Sequence, residues 1–413
     1  MTDKKEYLIY KLSDNMKSCI KIDAELFRKL DVKRGLRNED GTGVLVGLTN
    51  IGNVVGYERT EEGLQPIEGK LFFRGYEIAD LVHAVLKEER FGFEEVAYLL
   101  LSGRLPDTEE LEQFRRLLID NMPLMSKTTL NIVELEGSDI MNILARSVLE
   151  LYTYDANPDD ISRDNLMRQS IELISKFPTI IAYAYNMLRH KALGRSLHIR
   201  HPKEGFSLAE NFLYMLLGNH YTPLDARTLD LLLILQAEHG GANIRVHHMI
   251  EHLKQNIRHW DDEEEISHYL HKIVKKEAYD GTGLIYGIGH AVYTLSDPRA
   301  VLLKEMARKL AEEKGRTEEF EFMERIEKLS VEAVYDIKGR SKKLCANVDF
   351  YSGFVYDLIG LPIEIYTPLF AMARIVGWCA HRNEELGFVG RRIIRPAYRC
   401  VAELKEYKPV TER

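Results

Sequence analysis

From residue 77 onward, the apolar positions of this 413-residue chain fall mostly at helical spacing. Met141, Leu144, Ala145, Val148, Leu149 and Tyr152 stand at i, i+3, i+4, i+7, i+8 and i+11, which predicts a helix that buries this stripe. Ser207-Leu-Ala-Glu210, ahead of an apolar run, reads as a capping box. In that motif the serine and the glutamate each satisfy a backbone N–H left open at a helix start. Thr222-Pro-Leu-Asp225 opens another helix, with proline in the first turn, where its missing N–H costs nothing. This helix should run to about Glu238 and stop at Gly240-Gly241. The acidic run 261–265 reads as a solvated helix start favoured by the helix dipole.

The beginning of the chain is different. Residues 1–40 are charged and predict one or two surface helices. Between 41 and 76, glycines interrupt short apolar runs (GVLVGL, NVVGY, LFFRGY), which predicts small strands and turns. The expected fold class is all-α with a minor N-terminal β element.

Composition narrows the function. At 45% hydrophobic and 29% charged residues the chain is ordinary globular protein, too long for one small domain. A net charge of −8 argues against general nucleic-acid binding, but a small anion needs only a local basic pocket. No apolar run approaches the ~18 residues of a membrane span, and the N-terminus lacks a secretory pattern. A cytoplasmic protein with no membrane partner is expected. Cys19, Cys345, Cys379 and Cys400 are scattered without a CxxC pair, so neither a disulfide framework nor a metal site is expected.

Candidate chemistry sits where glycine interrupts helical sequence. His239 lies in AEHGGANIRV, and His290 and Arg299 lie in GIGHAVYTLSDPRA. Asp349 lies in CANVDFYSG and reads either as a helix cap or as a desolvated base. His239 taken alone reads first as a histidine favoured by a helix C-terminus and only second as a catalytic one. Arg374, among Ala, Met, Ile and Val, calls for a buried anion, and Arg395 precedes a proline in RRIIRPAY. A carboxylate base, neutral imidazole donors and arginine forks are the parts needed to deprotonate carbon beside a thioester and to grip a dicarboxylate. Spacing alone does not assign these roles.

Several of these segments resemble citrate synthases of the bacterial type. GHAVYTLSDPR is similar to the family's G-x-G-H-x-V…D-P-R motif, ANVDFYSG to N-V-D-x-x-S-G, and HGGANIRV to its His-Gly-Gly segment. LFFRGYEIADL, FPTIIAYAY, SLAENFLYML and IIRPAY also look familial, from about residue 40 to 400. The resemblance implies an acyltransferase of the tricarboxylic acid cycle that joins acetyl-CoA to oxaloacetate, with no permanently bound cofactor. It implies that Asp349 takes the methyl proton, His239 stabilises the enol and His290 protonates the oxaloacetate carbonyl. Arg299 and Arg374 would hold carboxylates, and Arg395 would reach into the neighbouring subunit of a homodimer. Lys338, Arg340, Lys342 and Lys343 would meet CoA phosphates, although a basic run is also what a solvated loop shows. By the same resemblance, residues 1–239 and 360–413 form a large helical domain and 240–359 a smaller mobile one. Propionyl-CoA as donor (2-methylcitrate synthase) and a catalytically impaired binding protein are the alternatives.

One departure stands out. The family carries two separate histidine segments, one ending a helix (HAEHGG) and one well downstream (HGGANI). Here LDLLLILQAEHGG runs directly into GANIRV, and Gln236 stands where a histidine is common. His239 is read as the second of these histidines, with the first, oxaloacetate-binding role as the alternative.

Overall fold

The computed structural model describes residues 7, 9–14, 23, 25–33, 35–36, 43–44, 47–61, 63–135, 137, 139–239, 244–340 and 343–387. Backbone contacts divide the chain into two compact units, Met1–Leu48 with Gly390–Arg413, and Thr49–Val389. In the first, a short helix, Glu25–Lys29, starts from Asp23, whose carboxylate accepts the Glu25 N–H at 2.9 Å.

The second unit opens with a three-stranded antiparallel sheet, ordered β1 (Gly52–Thr60), β2 (Gly63–Phe73) and β3 (Tyr76–Glu77). β1 pairs with β2 from Gly52↔Phe73 to Thr60↔Gly63, and the register shifts between Val55 and Tyr57. Leu71 and Phe73 are fully buried, which fixes which face of β2 points inward. The outer part of β2 is fastened to a loop that feeds the candidate site. Gly69 N donates to Ser296 Oγ at 3.2 Å, and Tyr293 Oη donates to the Lys70 carbonyl at 3.3 Å.

Helices account for the rest: α1 (Ile78–Lys87), α2 (Phe93–Ser102), α3 (Thr108–Asn121), α4 (Ser126–Glu134), α5 (Ile140–Tyr154), α6 (Arg163–Leu193) and α7 (Leu208–Leu217). They continue as α8 (Pro223–Gln236), α9 (Ile244–Asn256), α10 (Glu263–Val274), α11 (Pro298–Glu313), α12 (Thr317–Lys338), α13 (Asp349–Ile359) and α14 (Tyr366–Gly387). The expected all-α class with its small sheet is what the chain adopts.

α8 is the axis of the core. Leu229, Leu231, Leu232, Leu233, Ile234 and Leu235 are all buried, so it is enclosed on every side and packs against α2, α7, α11 and α14. Burying each such side chain contributes about 1.5–3 kcal/mol. It starts where predicted, with Pro223 in the first turn, and the start is a capping box: Asp225 N donates to Thr222 Oγ1 and Thr222 N to Asp225 Oδ2. Ser207 and Glu210 do the same for α7. The acidic run 261–265 begins α10, where Asp262 accepts Glu264 N and Glu265 N.

Two expectations need correction. α8 ends at Gln236, two residues earlier than expected, and the turn Ala237-Glu238 carries the chain to His239. In α5 the helix is present but the buried face is different. Ile140, Ile143, Leu144, Ser147 and Leu151 face inward, whereas Leu149 is 72% and Tyr152 54% exposed. Two apolar stripes share this helix, and periodicity finds both without ranking them.

Candidate active site

Three chain segments meet here: the turn after α8, the loop from Gly287 to Arg299, and residues 345–349 leading into α13. The last two are laced together by backbone. Gly289 N donates to Cys345 O at 2.7 Å, Asn347 N to Gly287 O at 2.9 Å, and Asn347 Nδ2 to Gly289 O at 2.9 Å. Asn347 also caps α13, its Oδ1 accepting Asp349 N at 3.0 Å. Asp349 is therefore not the cap that its sequence allowed. It is the first residue of α13, and it is buried.

The turn after α8 is fixed by α14. Gly377 N donates to Ala237 O at 3.1 Å. A Cβ on Gly377 would come within 2.6 Å of that carbonyl oxygen, so only glycine lets the two helices approach this closely. The next residues, Glu238 and His239, are thereby placed against Arg374 of the same helix.

His239 and His290 come together, with 3.4 Å between their Nε2 atoms and a ring-centroid separation of 5.5 Å. The backbone assigns their tautomers. His290 Nδ1 accepts two N–H groups, from Val292 and Tyr293, each at 3.1 Å. Its proton is therefore on Nε2, pointing at His239 Nε2, which leaves the proton of neutral His239 on Nδ1. Tyr293 stacks on the His290 ring at 4.7 Å. Burial, then the Arg299 charge, press the His239 imidazole down to about 4, although Glu238 opposes this. It is neutral at physiological pH.

Arg299 lies beneath this pair and is 1% exposed. Its Nε and Nη2 make a fork on Asp297, at 3.0 and 2.7 Å, and its Nη1 donates to the His239 carbonyl at 2.8 Å. Three of its five N–H donors are thus committed, and the other two have no hydrogen bond among the described residues. Asp297 is as buried as its partner, and it caps α11 through Arg299 N. Its Oδ2 also accepts Val348 N at 3.2 Å, the amide just before Asp349. One carboxylate therefore ties Arg299, the start of α11 and the entry to α13. Burial alone would lower the Arg299 guanidinium, but Asp297 more than offsets it and holds it above its usual range.

Arg374 completes the cluster. Its Nε donates to Gln236 O at 3.2 Å, and burial, moderated by Glu238, pulls it down to about 10. Its Nη2 is buried with no hydrogen-bond partner among the described residues. Glu238 pairs with His381 of α14, with Oε1 and Nε2 at 3.0 Å. Burial would raise this carboxyl, but the His381 hydrogen bond and the neighbouring Arg374 charge help hold it below its usual range.

Of the residues singled out from sequence, His239, His290, Arg299, Asp349 and Arg374 belong to this one connected set. Lys338 Nζ donates to Gly283 O at 2.7 Å, and the Arg340 guanidinium lies over the Tyr335 ring, 5.5 Å from its centre. Lys343 follows on the same stretch; Lys342 and Arg395 lie outside the described residues. Asp297, Glu238, His381, Asn347 and Tyr293 were not singled out. Among the described residues, no group of three or more His, Cys, Asp or Glu side chains could hold a metal ion.

Comparison with known proteins gives a consistent result. A sequence model for the citrate synthase C-terminal domain family matches residues 40–244 and again 237–397. Both matches claim 237–244, the stretch that holds His239. A citrate synthase of Corynebacterium glutamicum is 33% identical over 385 residues, covering 82% of each chain. Citrate synthase 2 of Bacillus subtilis is 30% identical, covering 84% of this chain and 94% of the relative. The crystal structure of citrate synthase from Pyrobaculum aerophilum superposes with a TM-score of 0.69 at 28% identity, covering 90% of this chain and 94% of that one. A Thermoplasma acidophilum citrate synthase, solved as a ternary complex with carboxymethyl coenzyme A and oxaloacetate, superposes with a TM-score of 0.68 at 25% identity, covering 90% of this chain and 97% of that one.

Proposed function

This chain belongs to the citrate synthase family, and from that premise we propose that it condenses acetyl-CoA with oxaloacetate to give citrate and free CoA. The observation that carries the reading is the pair of neutral imidazoles with backbone-assigned protons, seated over a buried arginine whose carboxylate partner also holds the amide before Asp349.

In this proposal Asp349 removes a methyl proton from acetyl-CoA while His239 Nδ1–H donates to the thioester oxygen as charge develops there. A neutral imidazole suits the task, because it stabilises an enolate oxygen without fully protonating it. The enol carbon then attacks the ketone carbon of oxaloacetate. His290 Nε2–H, which faces His239 without ligand, turns to the ketone oxygen and gives up its proton as the new bond forms. Water cleaves the resulting thioester and releases CoA. The two remaining donors of Arg299 and the buried Nη2 of Arg374 hold substrate carboxylates. Lys338, Arg340, Lys342 and Lys343 serve the CoA phosphates, and Arg395 completes the site of a neighbouring subunit.

A cytoplasmic homodimer without a resident cofactor belongs to the same proposal, as does a smaller lobe, residues 240–359, that closes on the larger one. The exposed Leu149 and Tyr152 of α5 favour a second copy as cover. No described helix is long and apolar enough to cross a membrane. The relatives bear the name citrate synthase, which favours acetyl-CoA over propionyl-CoA as donor.

The test is oxaloacetate-dependent thiol release from acetyl-CoA. Loss of a general base typically costs 10²–10⁴-fold, so Asp349→Ala should fall by about that factor while calorimetry still detects oxaloacetate binding. A mutant that turns over at the parent rate removes Asp349 from the mechanism. A parent protein that releases no CoA removes the activity itself.

A further inference from the structure

The Glu238–His381 pair has no part in the chemistry above, yet it sits against it. Glu238 follows α8 by one turn and directly precedes His239; His381 comes from α14, 143 residues away. The Glu238 side chain is 13% exposed and that of His381 41%. β1 walls the carboxylate from another side, since a Cβ on Gly52 would lie 2.7 Å from its Cδ and Oε2. Glu238 Oε2 and Arg374 Nη2 are both buried, and neither has a hydrogen-bond partner among the described residues. The two groups feel each other's charge, but the Glu238 carboxylate is hydrogen-bonded to His381.

This arrangement sets up a competition. A guanidinium that is to receive a substrate carboxylate stands beside a carboxylate tethered to the protein. If the two closed on each other, a substrate would have to displace an intramolecular partner that is always at hand. We infer that His381 is a positioning residue for dicarboxylate binding: by engaging Glu238 it keeps that carboxylate off Arg374 and leaves the guanidinium open to the substrate. The inference rests on the proposed role of Arg374. It assigns His381 no contact with the reacting atoms. A purely structural His381 would affect stability alone.

Oxaloacetate affinity by calorimetry, together with KM and kcat from thiol release, separates the two roles. His381→Ala frees Glu238 to pair with Arg374, and KM and Kd for oxaloacetate should rise about tenfold, the scale of one charge-assisted contact, with kcat changed by less than about twofold. His381→Gln keeps a donor and should retain most of the affinity. The decisive variant is His381→Ala with Glu238→Gln, in which the competing charge is gone and affinity should return to the parent value. Unchanged affinity in His381→Ala, or a loss that persists in the double variant, overturns the inference while leaving the activity standing. A parent protein that binds no oxaloacetate overturns the functional reading, and this inference with it.

Discussion

Among the buried acids of the described residues, two centres are kept in opposite ways. At the candidate site, Asp297 is matched by the Arg299 fork and by two backbone amides. Some distance along the chain, Glu94 and Asp230 face each other without such a match. Asp230 accepts Gly92 N at 2.7 Å and Phe93 N at 3.2 Å, at the start of α2. Glu94 accepts Leu208 N at 2.7 Å, at the start of α7. Arg115 lies beside the pair, its Nε 3.9 Å from Glu94 Oε2, and both of those atoms are buried without a hydrogen bond among the described residues. Burial first, and then Glu94, push the Asp230 carboxyl up to about 8. The chain thus tolerates one buried acid by neutralising it with an opposite charge, and the other by leaving a proton on it. A paired charge holds geometry at any ordinary pH; a protonated one is a stability element that pH can remove.

The largest effect should come from breaking the paired centre. Asp297→Ala leaves Arg299 charged, buried and without its fork, which typically costs 3–5 kcal/mol, roughly. It should also abolish turnover, because Val348 N and the Arg299 grip on His239 lose their common anchor. Chemical denaturation and thiol release report the two losses separately. Replacing both partners, Asp297→Leu with Arg299→Met, should recover much of the stability but none of the activity, since apolar replacements can substitute for a buried ion pair energetically. A single Asp297→Ala variant with near-parent stability would mean that Arg299 finds another anion, and the contrast between the two centres would lose its force.

The protonated centre should respond to pH instead. Its folded pKa, about 8, lies above the ordinary aspartate value of 3.8, so the folded protein holds a proton that the unfolded chain gives up across that interval. Stability from this group is therefore fully present below about 4 and is lost as pH rises through about 8. Asp230→Asn should flatten that decline. Below neutrality it should cost about 1 kcal/mol, because the amide presents only one oxygen to two N–H donors. Urea midpoints at pH 5, 6.5 and 8 give the slopes. Parallel slopes for parent and variant would show that the pair does not hold the proton.

These two centres also mark how far the sequence could be read. His239, His290, Arg299 and Asp349 were visible because glycine-rich breaks in helical sequence bring polar side chains to one place. Asp297 was within the same quoted segment, and Asp-Pro ahead of an apolar helix is an N-cap signature that would have found it as a cap. Its second role, on the amide before residue 349, links positions 51 residues apart and leaves no local trace. Glu238 with His381, and Glu94 with Asp230, are likewise long-range pairs that no spacing rule predicts. Helices and caps were legible because they are local, as Thr222-Asp225 and Ser207-Glu210 show. Which face of α5 is buried was not, because Leu149 and Tyr152 continue the apolar period as well as Ile143 and Leu151 do.

The smallest change sharpens the comparison from the neutral side. α7 begins with two kinds of acceptor: Ser207 Oγ takes Glu210 N at 3.2 Å, and Glu94 takes Leu208 N. Ser207→Ala orphans one amide only, since Leu208 stays on Glu94, and such a cap is worth about 1 kcal/mol. Serine does not titrate in this range, so the loss should be the same at pH 5 and pH 8. That constancy separates a hydrogen bond from a held proton: Ser207 and the Glu94 side of the acid pair both serve the start of α7, but only the acid pair ties its contribution to pH. If the cost of Ser207→Ala instead grew as pH rose, the serine cap and the Glu94–Asp230 pair would be one coupled unit, and the pH slope assigned to Asp230 would have to be divided between them.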